Sequence, residues 1–371
     1  MKGRFDLTLG NFDETPLDAP YATASEPLRM VEEAFSTFRA FAGAADEDAC
    51  IALSCETEAF VQVLLSLYME VGYETGKNHV VVFAGEKASI LTSLSVYEKL
   101  GICFDIVKLD SSCAVDLSDL QKKMNPKTFL AAFSGASSLT GVIQPVWEIA
   151  RLCKEKQVPV YMDGSELSVS NTYQFRDLDI DYLALSGDKL FAPSGIALLF
   201  AKPAAPLLPL LGSSKFQGGK RLMPIGSDLI QSLAKALGDL MEMKDTSAFE
   251  VTRLRNGFEK KLRRFFPDLV VHFEAKRLFY VSCIALPKVH GEHLLFRLQE
   301  KGIFAALGGS REQKLPYLLM CIGIAPELAY SSLTFNFSVF HSEEEVETLV
   351  QTLGQVGLDV KKAAQELWEK D

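Results

Sequence analysis

Short apolar, β-branched runs alternate with longer segments of helical periodicity through the middle of the chain. The runs predict strands over 79–85, 104–110, 128–135, 158–164, 181–187 and 195–202. Helices are predicted over 26–42 and 57–71, and a further helix begins at Pro145. Strands that alternate with helices are typical of crossover units in a mostly parallel sheet. The pattern therefore predicts an α/β fold.

The pattern changes after Ser227 to one long helical stretch that ends near Phe266. Strand-like VVHFEA and LFYVSCIAL, a helix over 291–301, the strand LTFNFSVF and a final amphipathic helix follow. We expect a large domain over 1–240 and a small α+β domain over 241–371, with segment 1–25 packing on the small domain. No flexible tether is predicted, so the boundary lies in or beside the long helix.

Charge and composition narrow the classes of partner. The 371 residues contain 38 Lys and Arg against 48 Asp and Glu, which gives a formal charge of −10. Nucleic acids and anionic membranes attract positive protein, so neither is an expected partner. The apolar stretch Gly195–Gly212 contains Lys202 and three prolines and is no membrane span. We expect a cytoplasmic protein that binds a small molecule or a protein.

The cysteine pattern does not predict a metal site. The seven cysteines contain no CxxC pair, and the five histidines are scattered. We interpret the thiols as reduced and mostly buried, including Cys321 in an apolar helix-like run.

Two residues and a helix start suggest a catalytic site. Asp163 ends a predicted buried strand, and Lys189 follows the next strand. Ligands of open α/β sheets bind beyond the carboxyl ends of the strands. The segment from Ser54 starts a helix with Thr57, where free backbone donors can hold a phosphate. A lysine, a carboxylate and a phosphate cradle are what pyridoxal phosphate (PLP) requires. Taken singly, Asp163 also suits a helix cap and Lys189 a surface charge.

These residues lie in a segment that resembles a known family. YLALSGDKLFAPSGIALLF is similar to the cofactor-lysine segment of class V aminotransferases, most closely that of NifS-like cysteine desulfurases. LDAPYATAS, LSCETEAF, the block from SSLTG to MDGSE and the segment IGIAPELAYSSLTFNFSVFHSEEEVETLV resemble further family motifs in the same order. The resemblance covers about residues 17–355. It implies the PLP-dependent fold type I, with a mostly parallel seven-stranded sheet flanked by helices.

The resemblance also implies roles for individual residues. Lys189 corresponds to the Schiff-base lysine and Asp163 to the partner of the pyridine nitrogen. Thr57 and Ser186 correspond to phosphate ligands, and Ser227 to a residue that reaches the phosphate of a neighbouring subunit. Family members are dimers, so the resemblance implies a homodimer.

Several positions depart from the family pattern. Asp188 and Lys87 replace the histidines that bind the phosphate and stack on the cofactor, and Ser138 and Glu166 replace the Asn and Gln at its phenolic oxygen. Glu56 is a further new charge. Thr334 replaces the Arg that binds the substrate carboxylate, for which Arg311 or Arg221 would have to substitute. GGSREQ, with Arg311, stands where the nucleophilic Cys belongs.

The departures leave two interpretations of the cleft and two of the function. Lys87 pairs with Glu56 or Glu166, or all these charges line a solvated cleft. Asp188 near a phosphate would cost about 4 kcal/mol at an effective dielectric of 20. Either Asp188 turns away, or a cation neutralises it, or the cofactor is not held. The first functional hypothesis is a PLP-dependent enzyme acting on a small amino acid, as a desulfurase, selenocysteine lyase or transaminase that lacks the usual Cys. The alternative is a catalytically silent protein partner or scaffold. A nucleotide-binding domain is a weak third, because no GxGxxG follows the early strands.

Overall fold

The computed structural model describes residues 25–170, 173–212, 216–221, 225–310 and 312–368. Its centre is a seven-stranded sheet with the strand order β1-β7-β6-β5-β4-β2-β3. The strands are β1 (Ala49–Leu53), β2 (His79–Phe83), β3 (Cys103–Val107), β4 (Thr128–Ser134), β5 (Val160–Asp163), β6 (Tyr182–Ser186) and β7 (Ala197–Ala201). β7 runs antiparallel to β1 and β6, and the other neighbours are parallel. The predicted α/β fold with a mostly parallel sheet is confirmed.

The six predicted strands are present, but β1 was not predicted. Its sequence ACIAL is rich in small residues, which give little of the β-branched signal that marks a strand. β1 lies at one edge of the described sheet, where it pairs with β7.

Helices cover both faces of this sheet. They are α1 (Ser25–Ala42), α2 (Glu56–Leu67), α3 (Tyr73–Thr75), α4 (Ala88–Tyr97), α5 (Leu117–Lys123), α6 (Val146–Glu155) and α7 (Ser165–Ser168). Side chains alternate across a strand, so Val81 and Phe83 of β2 enter one core cluster, whereas Val80 and Val82 enter the other. This explains why the strands appear as continuous apolar runs.

The second half of the chain builds a smaller sheet. The long helix α8 (Ser227–Leu262) leads to three antiparallel strands in the order β10-β9-β8. These elements are β8 (Val270–Val271), β9 (Val281–Ala285), α9 (Gly291–Gln299), α10 (Leu315–Cys321), α11 (Pro326–Ala329), β10 (Ser332–Asn336) and α12 (Glu343–Trp368). The VVHFEA strand is shorter than expected, with two residues in the ladder. In the described ranges, no helix combines the length and apolar character that a membrane crossing requires.

One prediction about the cysteines is wrong. Cys321 was assigned to the core, but it is exposed at the end of α10. The buried face of this helix carries Leu315, Leu318 and Leu319 instead. The prediction failed because the whole run is apolar, so its sequence does not show which face is buried. Four other cysteines, at positions 50, 113, 153 and 283, are buried free thiols.

The parallel strands bring several polar residues to one edge of the sheet. β4, β5 and β6 end at Ser134, Asp163 and Ser186, and the turn after β2 carries Glu86 and Lys87. The carboxyl ends of parallel strands meet at the same edge, where ligands of such sheets bind. The fold thus gathers residues that are up to 100 positions apart in the chain.

Candidate functional site

The centre of this edge is a buried cluster of ion pairs around Lys87. Its ammonium nitrogen, Nζ, lies 2.7 Å from Oδ2 of Asp163 and 3.3 Å from Oε1 of Glu56. All three residues are buried, with at most 6% of their surface exposed. Burial alone would lower the pKa of Lys87, but the two carboxylates outweigh it and raise that pKa well above its usual value. Lys87 is therefore a fixed internal cation.

Asp163 is fully satisfied by groups of the protein itself. Its Oδ1 accepts hydrogen bonds from the backbone N–H and the hydroxyl of Ser165. That hydroxyl oxygen accepts in turn from the N–H of Ser186, at 2.8 Å. Burial would raise the pKa of Asp163, but Lys87 and Ser165 hold it below its usual value. Asp163 is thus an anion whose second oxygen is committed to Lys87.

Two carboxylates compete for one hydroxyl at the end of β6. The Ser186 hydroxyl oxygen lies 3.0 Å from Oε2 of Glu56 and 2.7 Å from Oδ1 of Asp188. A serine has one hydroxyl proton, so it donates to one of the two at a time. The region that the family resemblance assigns to the phosphate is therefore lined by hydrogen-bond acceptors and negative charge.

Lys189 is engaged on the other side of the cluster. Its Nζ lies 2.9 Å from Oε1 of Glu166, whose Oε2 accepts a 2.6 Å hydrogen bond from the Tyr280 hydroxyl. Burial would lower the pKa of Lys189, but Glu166 raises it above its usual value. A lysine attacks a carbonyl group only in its neutral form, so this environment disfavours Schiff-base formation.

Other residues singled out in the sequence lie around this cluster or apart from it. The Thr57 hydroxyl donates to Oγ of Ser89 at 3.1 Å. Thr334 is buried, and its hydroxyl donates to the Leu139 carbonyl. Ser227 is half-buried at the start of α8. Arg221 forms a 2.6 Å ion pair with Glu58. Arg311 and segment 1–24, with most of the LDAPYATAS motif, lie outside the described residues.

Three residues of the site were missed by the sequence analysis. Glu86 is buried and accepts from both the N–H and the hydroxyl of Ser134, and burial raises its pKa to about 7. Gln313 donates to the carbonyls of Ala84 and Glu86, at 2.6 and 2.8 Å. Glu312 lines a small cavity together with Lys87 and Asp163, and burial raises the pKa of Glu312. Glu312 and Gln313 are the last two residues of GGSREQ, the segment singled out for its missing Cys.

The space left inside the cluster is small. The cavity is lined by Lys87, Ser138, Asp163, Glu166 and Glu312, among others, and its volume is about 20 Å³. That is about the space of one water molecule. PLP, with a ring and a phosphate, does not fit into this cavity with the side chains placed in this way.

The charges of the cluster lead to the same conclusion as the volume of the cavity. Among the described residues, the ammonium groups of Lys87 and Lys189 pair with the carboxylates of Glu56, Asp163 and Glu166, and a fourth carboxylate, of Asp188, shares the Ser186 hydroxyl. A phosphate brings about two further negative charges, and each close like-charge contact costs about 4 kcal/mol at an effective dielectric of 20. The residues present therefore do not match the cofactor that the family resemblance implies.

The two interpretations of the charged positions can now be separated. The pairing of Lys87 with Glu56 is present, and Glu166 pairs with Lys189 instead. The interpretation as a solvated lining is wrong for Lys87, Glu56 and Glu166, because all three are buried. The sheet edge and the loop that carries Gln313 cover them together.

Comparison with known proteins places this site in a family. The chain is 26% identical over 284 residues to "Cysteine desulfurase" from Rattus norvegicus, a match that covers 75% of this chain and 63% of that protein. It is 24% identical over 298 residues to "Cysteine desulfurase IscS" from Clostridium botulinum strain Hall, covering 79% of this chain and 75% of the relative. The chain thus spans less than two thirds of the length of the rat relative.

Solved structures show the same fold. A structure named "NIFS-LIKE PROTEIN" superposes with a TM-score of 0.83 at 20% identity, over 92% of this chain and 90% of that chain. The named curated relatives are enzymes, which agrees with the expected PLP-dependent transferase or lyase class. The sequence model of the family "Aminotransferase class-V" matches residues 17–221. The chain therefore belongs to the class V aminotransferase family, with a NifS-like fold.

Proposed function

We propose that this protein is a NifS-like family member that works without PLP, as a protein partner or scaffold rather than as a catalyst. One observation carries the proposal: the ammonium group of Lys87 forms an ion pair with the carboxylate of Asp163. Asp163 is the residue that would bind the pyridine nitrogen of PLP. A cation made by the chain itself thereby replaces the cation that the cofactor would supply.

The surrounding contacts support the same conclusion. Each polar group that would hold PLP already has a partner within the protein: Asp163 pairs with Lys87, Lys189 with Glu166, and Ser186 with Glu56 and Asp188. Buried polar groups that are already satisfied gain little from a ligand, and separating them leaves buried charges unpaired. Cofactor entry would have to break the whole network.

The direct test is equilibrium binding of PLP to the purified protein. We expect a Kd weaker than about 1 mM, no visible absorption from a PLP–lysine adduct, and no borohydride-fixed mass increase on Lys189. The double variant Lys87→His/Asp188→His removes one obstructing cation and one phosphate-repelling anion. It should bind PLP at least about tenfold more tightly than the wild type. PLP binding to the wild type at micromolar Kd, with amino-acid turnover that disappears in Lys189→Ala, would refute the proposal.

A second candidate is the PLP-dependent enzyme acting on a small amino acid. Lys189 and Asp163 favour it, since both lie at the carboxyl ends of neighbouring strands, β6 and β5, as such a site requires. For a desulfurase the missing thiol is a further obstacle, because arginine or serine cannot attack a substrate sulfur. A selenocysteine lyase or a transaminase does not need that thiol. Turnover assays with cysteine, selenocysteine and alanine separate these activities from one another and from the PLP-free proposal.

The family resemblance also supports a homodimer, which we propose as the working form. Light scattering of the purified protein tests the assembly: a mass of twice 40.9 kDa is expected. A monomeric mass at micromolar concentration would exclude it.

A further inference from the structure

A cavity lies beside Lys189, outside the buried ion pairs around Lys87. Its volume is about 300 Å³, against about 20 Å³ for the cavity that Lys87 lines. Pockets that bind small molecules begin at about this volume. The chain thus keeps room for a ligand next to the cleft that its own side chains fill.

Most of the cavity wall is apolar, and its side chains come from distant parts of the chain. Leu240, Met243 and Val251 belong to α8, and Val169 directly follows α7. Phenylalanines from the turn after β6 and from the segment after β10 complete the wall. A wall of this kind binds a ligand mainly through burial of apolar surface.

Two aromatic rings of this wall remain largely exposed. Phe191, which follows Lys189 by two positions, is 49% exposed, and Phe340 is 68% exposed. The two rings stand edge to face, with their centroids 5.7 Å apart. Exposed apolar surface that lines a cavity is typical of ligand-binding sites. The pair therefore offers surface that an aromatic ligand can cover, in the edge-to-face or offset geometry that aromatic rings prefer.

The backbone at Phe191 shows that the ring is kept at a cost. Its φ is 61°, in the left-handed region that glycine adopts freely and a bulky side chain rarely does. A glycine at this position would relieve the strain, but it would remove the ring from the cavity wall. Strained residues of this kind concentrate at ligand sites, where the side chain has a role that offsets the strain.

The polar groups at one end of the cavity are already engaged with one another. Glu166 pairs with Lys189 through one oxygen and accepts from the Tyr280 hydroxyl with the other. Oδ1 of Asp188 lies 2.7 Å from the Ser186 hydroxyl oxygen. A charged ligand would have to compete with these contacts, whereas an uncharged ligand can cover the apolar wall and leave them intact.

We propose that this cavity binds an uncharged, planar aromatic molecule of one or two rings, which packs against Phe191, Phe340 and the apolar side chains of α8. The inference goes beyond the proposed function, because it requires neither PLP nor the presence or absence of catalysis. It gives the protein a ligand site of its own, next to the position where the family pattern places the cofactor lysine.

Four probes of similar size test the chemistry of the ligand. They are 2-naphthol, its saturated counterpart decahydro-2-naphthol, the anion 2-naphthoate and the cation 2-naphthylmethylammonium. Ligand-observed NMR or titration calorimetry should give a Kd of about 0.1–1 mM for 2-naphthol. The saturated alcohol should bind about three- to tenfold more weakly, because it lacks the ring–ring contacts. Both charged probes should bind at least about tenfold more weakly than 2-naphthol.

Three results would overturn the proposal. They are equal binding of the aromatic and the saturated alcohol, tighter binding of either charged probe, and no binding of 2-naphthol up to about 2 mM.

Two variants and a control locate the binding. Phe191→Gly removes the ring and should weaken 2-naphthol binding at least about tenfold, while folding is preserved because glycine adopts this φ without strain. Val169→Phe adds bulk to the opposite chemistry of change, filling space in the wall, and should weaken binding as strongly. Phe296→Ala removes a ring that is exposed on α9, outside the cavity wall, and should leave every Kd unchanged. Unaltered 2-naphthol binding in folded Phe191→Gly and Val169→Phe proteins would place the ligand elsewhere and refute the site.

Discussion

Nζ of Lys87 lies 2.7 Å from Oδ2 of Asp163, and both side chains are at least 93% buried. The sequence around Lys87 does not indicate that Asp163 is its partner, since 76 positions separate the two residues. In the family pattern the carboxylate at this position binds the cofactor, whereas here Asp163 forms an ion pair with Lys87 inside the protein. It also makes the stability of the large sheet depend on charges at the edge where a ligand would bind.

Removing the cation should destabilise the fold strongly. Lys87→Met leaves Asp163 and Glu56 as buried charges without their ammonium partner, and such losses cost about 3–5 kcal/mol. Chemical denaturation with a fitted free energy of unfolding measures the change. Adding Asp163→Asn to Lys87→Met should recover part of the lost free energy of unfolding, because it removes one of the two buried carboxylates that paired with Lys87.

The matched control is an exposed lysine–aspartate pair of similar length. Lys154 and Asp179 lie 2.6 Å apart, with side chains that are 67% and 55% exposed. Lys154→Met should change the free energy of unfolding by less than about 1 kcal/mol, since water screens the pair. Equal losses for Lys87→Met and Lys154→Met would contradict a buried, structure-bearing network.

The buried carboxyl of Glu86 should make stability decline as pH rises. Its pKa is raised to about 7 in the folded protein, against about 4.3 for an unfolded glutamate. The folded state therefore binds more protons between these values, so the contribution is complete below about pH 4 and is lost as pH rises through 7. The difference corresponds to roughly 3–4 kcal/mol.

Glu86→Gln tests this pH dependence. A glutamine does not titrate, so the fall in melting temperature between pH 5 and pH 8 should become smaller in the variant. Glu74→Gln changes an exposed glutamate and serves as the control, with the pH profile of the wild type. Identical slopes for Glu86→Gln and the wild type would show that Glu86 titrates normally.

The side chain of Gln313 should connect the turn after β2 to the segment GGSREQ, which ends at Gln313. Its side-chain amide donates to two backbone carbonyls, those of Ala84 and Glu86. Gln313→Ala leaves both acceptors without this donor, at a cost of about 1–3 kcal/mol. Hydrogen exchange should accelerate at residues 306–314 and 84–88. Gln351→Ala, which removes a surface hydrogen bond to Glu347, should leave exchange there unchanged. Unaltered exchange in Gln313→Ala would remove the residue from any positioning role.

Lys189 should react slowly with amine reagents at pH 8. Glu166 raises the pKa of its ammonium group, so little neutral amine is present. Mass spectrometry after brief trinitrobenzenesulfonate treatment should show Lys189 modified more slowly than the exposed Lys154. In Glu166→Gln the rate at Lys189 should rise several-fold, whereas Lys154 should not change. If Lys189 were the fastest lysine to react in the wild type, the paired, protonated state would be excluded.

The sequence predicted much of the fold because local patterns encode it. Continuous apolar runs such as HVVVF mark strands that are buried on both faces, and the segment from Pro145 has one apolar face and starts a helix there. Such signals depend on neighbours a few residues apart, so they survive without knowledge of the tertiary structure. The small-residue strand β1 escaped, because its pairing depends on a partner far along the chain. The strand VVHFEA was predicted, but the length of its ladder, two residues in β8, was not.

The sequence also named several residues that lie together at the sheet edge, through their order in the family pattern. It named Lys87, Glu56, Asp163, Glu166 and Lys189 and even one of the pairings, Lys87 with Glu56. It left open whether these charges stand in water or pair within the protein. That choice depends on burial, which several chain segments create together.

The sequence by itself therefore determined the class of fold, the family and which charged residues belong to the sheet edge. Only the tertiary structure decided that Lys87 turns to Asp163, that Glu166 takes Lys189, and that Gln313 binds the turn above them. The physical reason is distance: the strength of a charge interaction is set by separation and by exclusion of water, and neither is written in the order of residues along a chain.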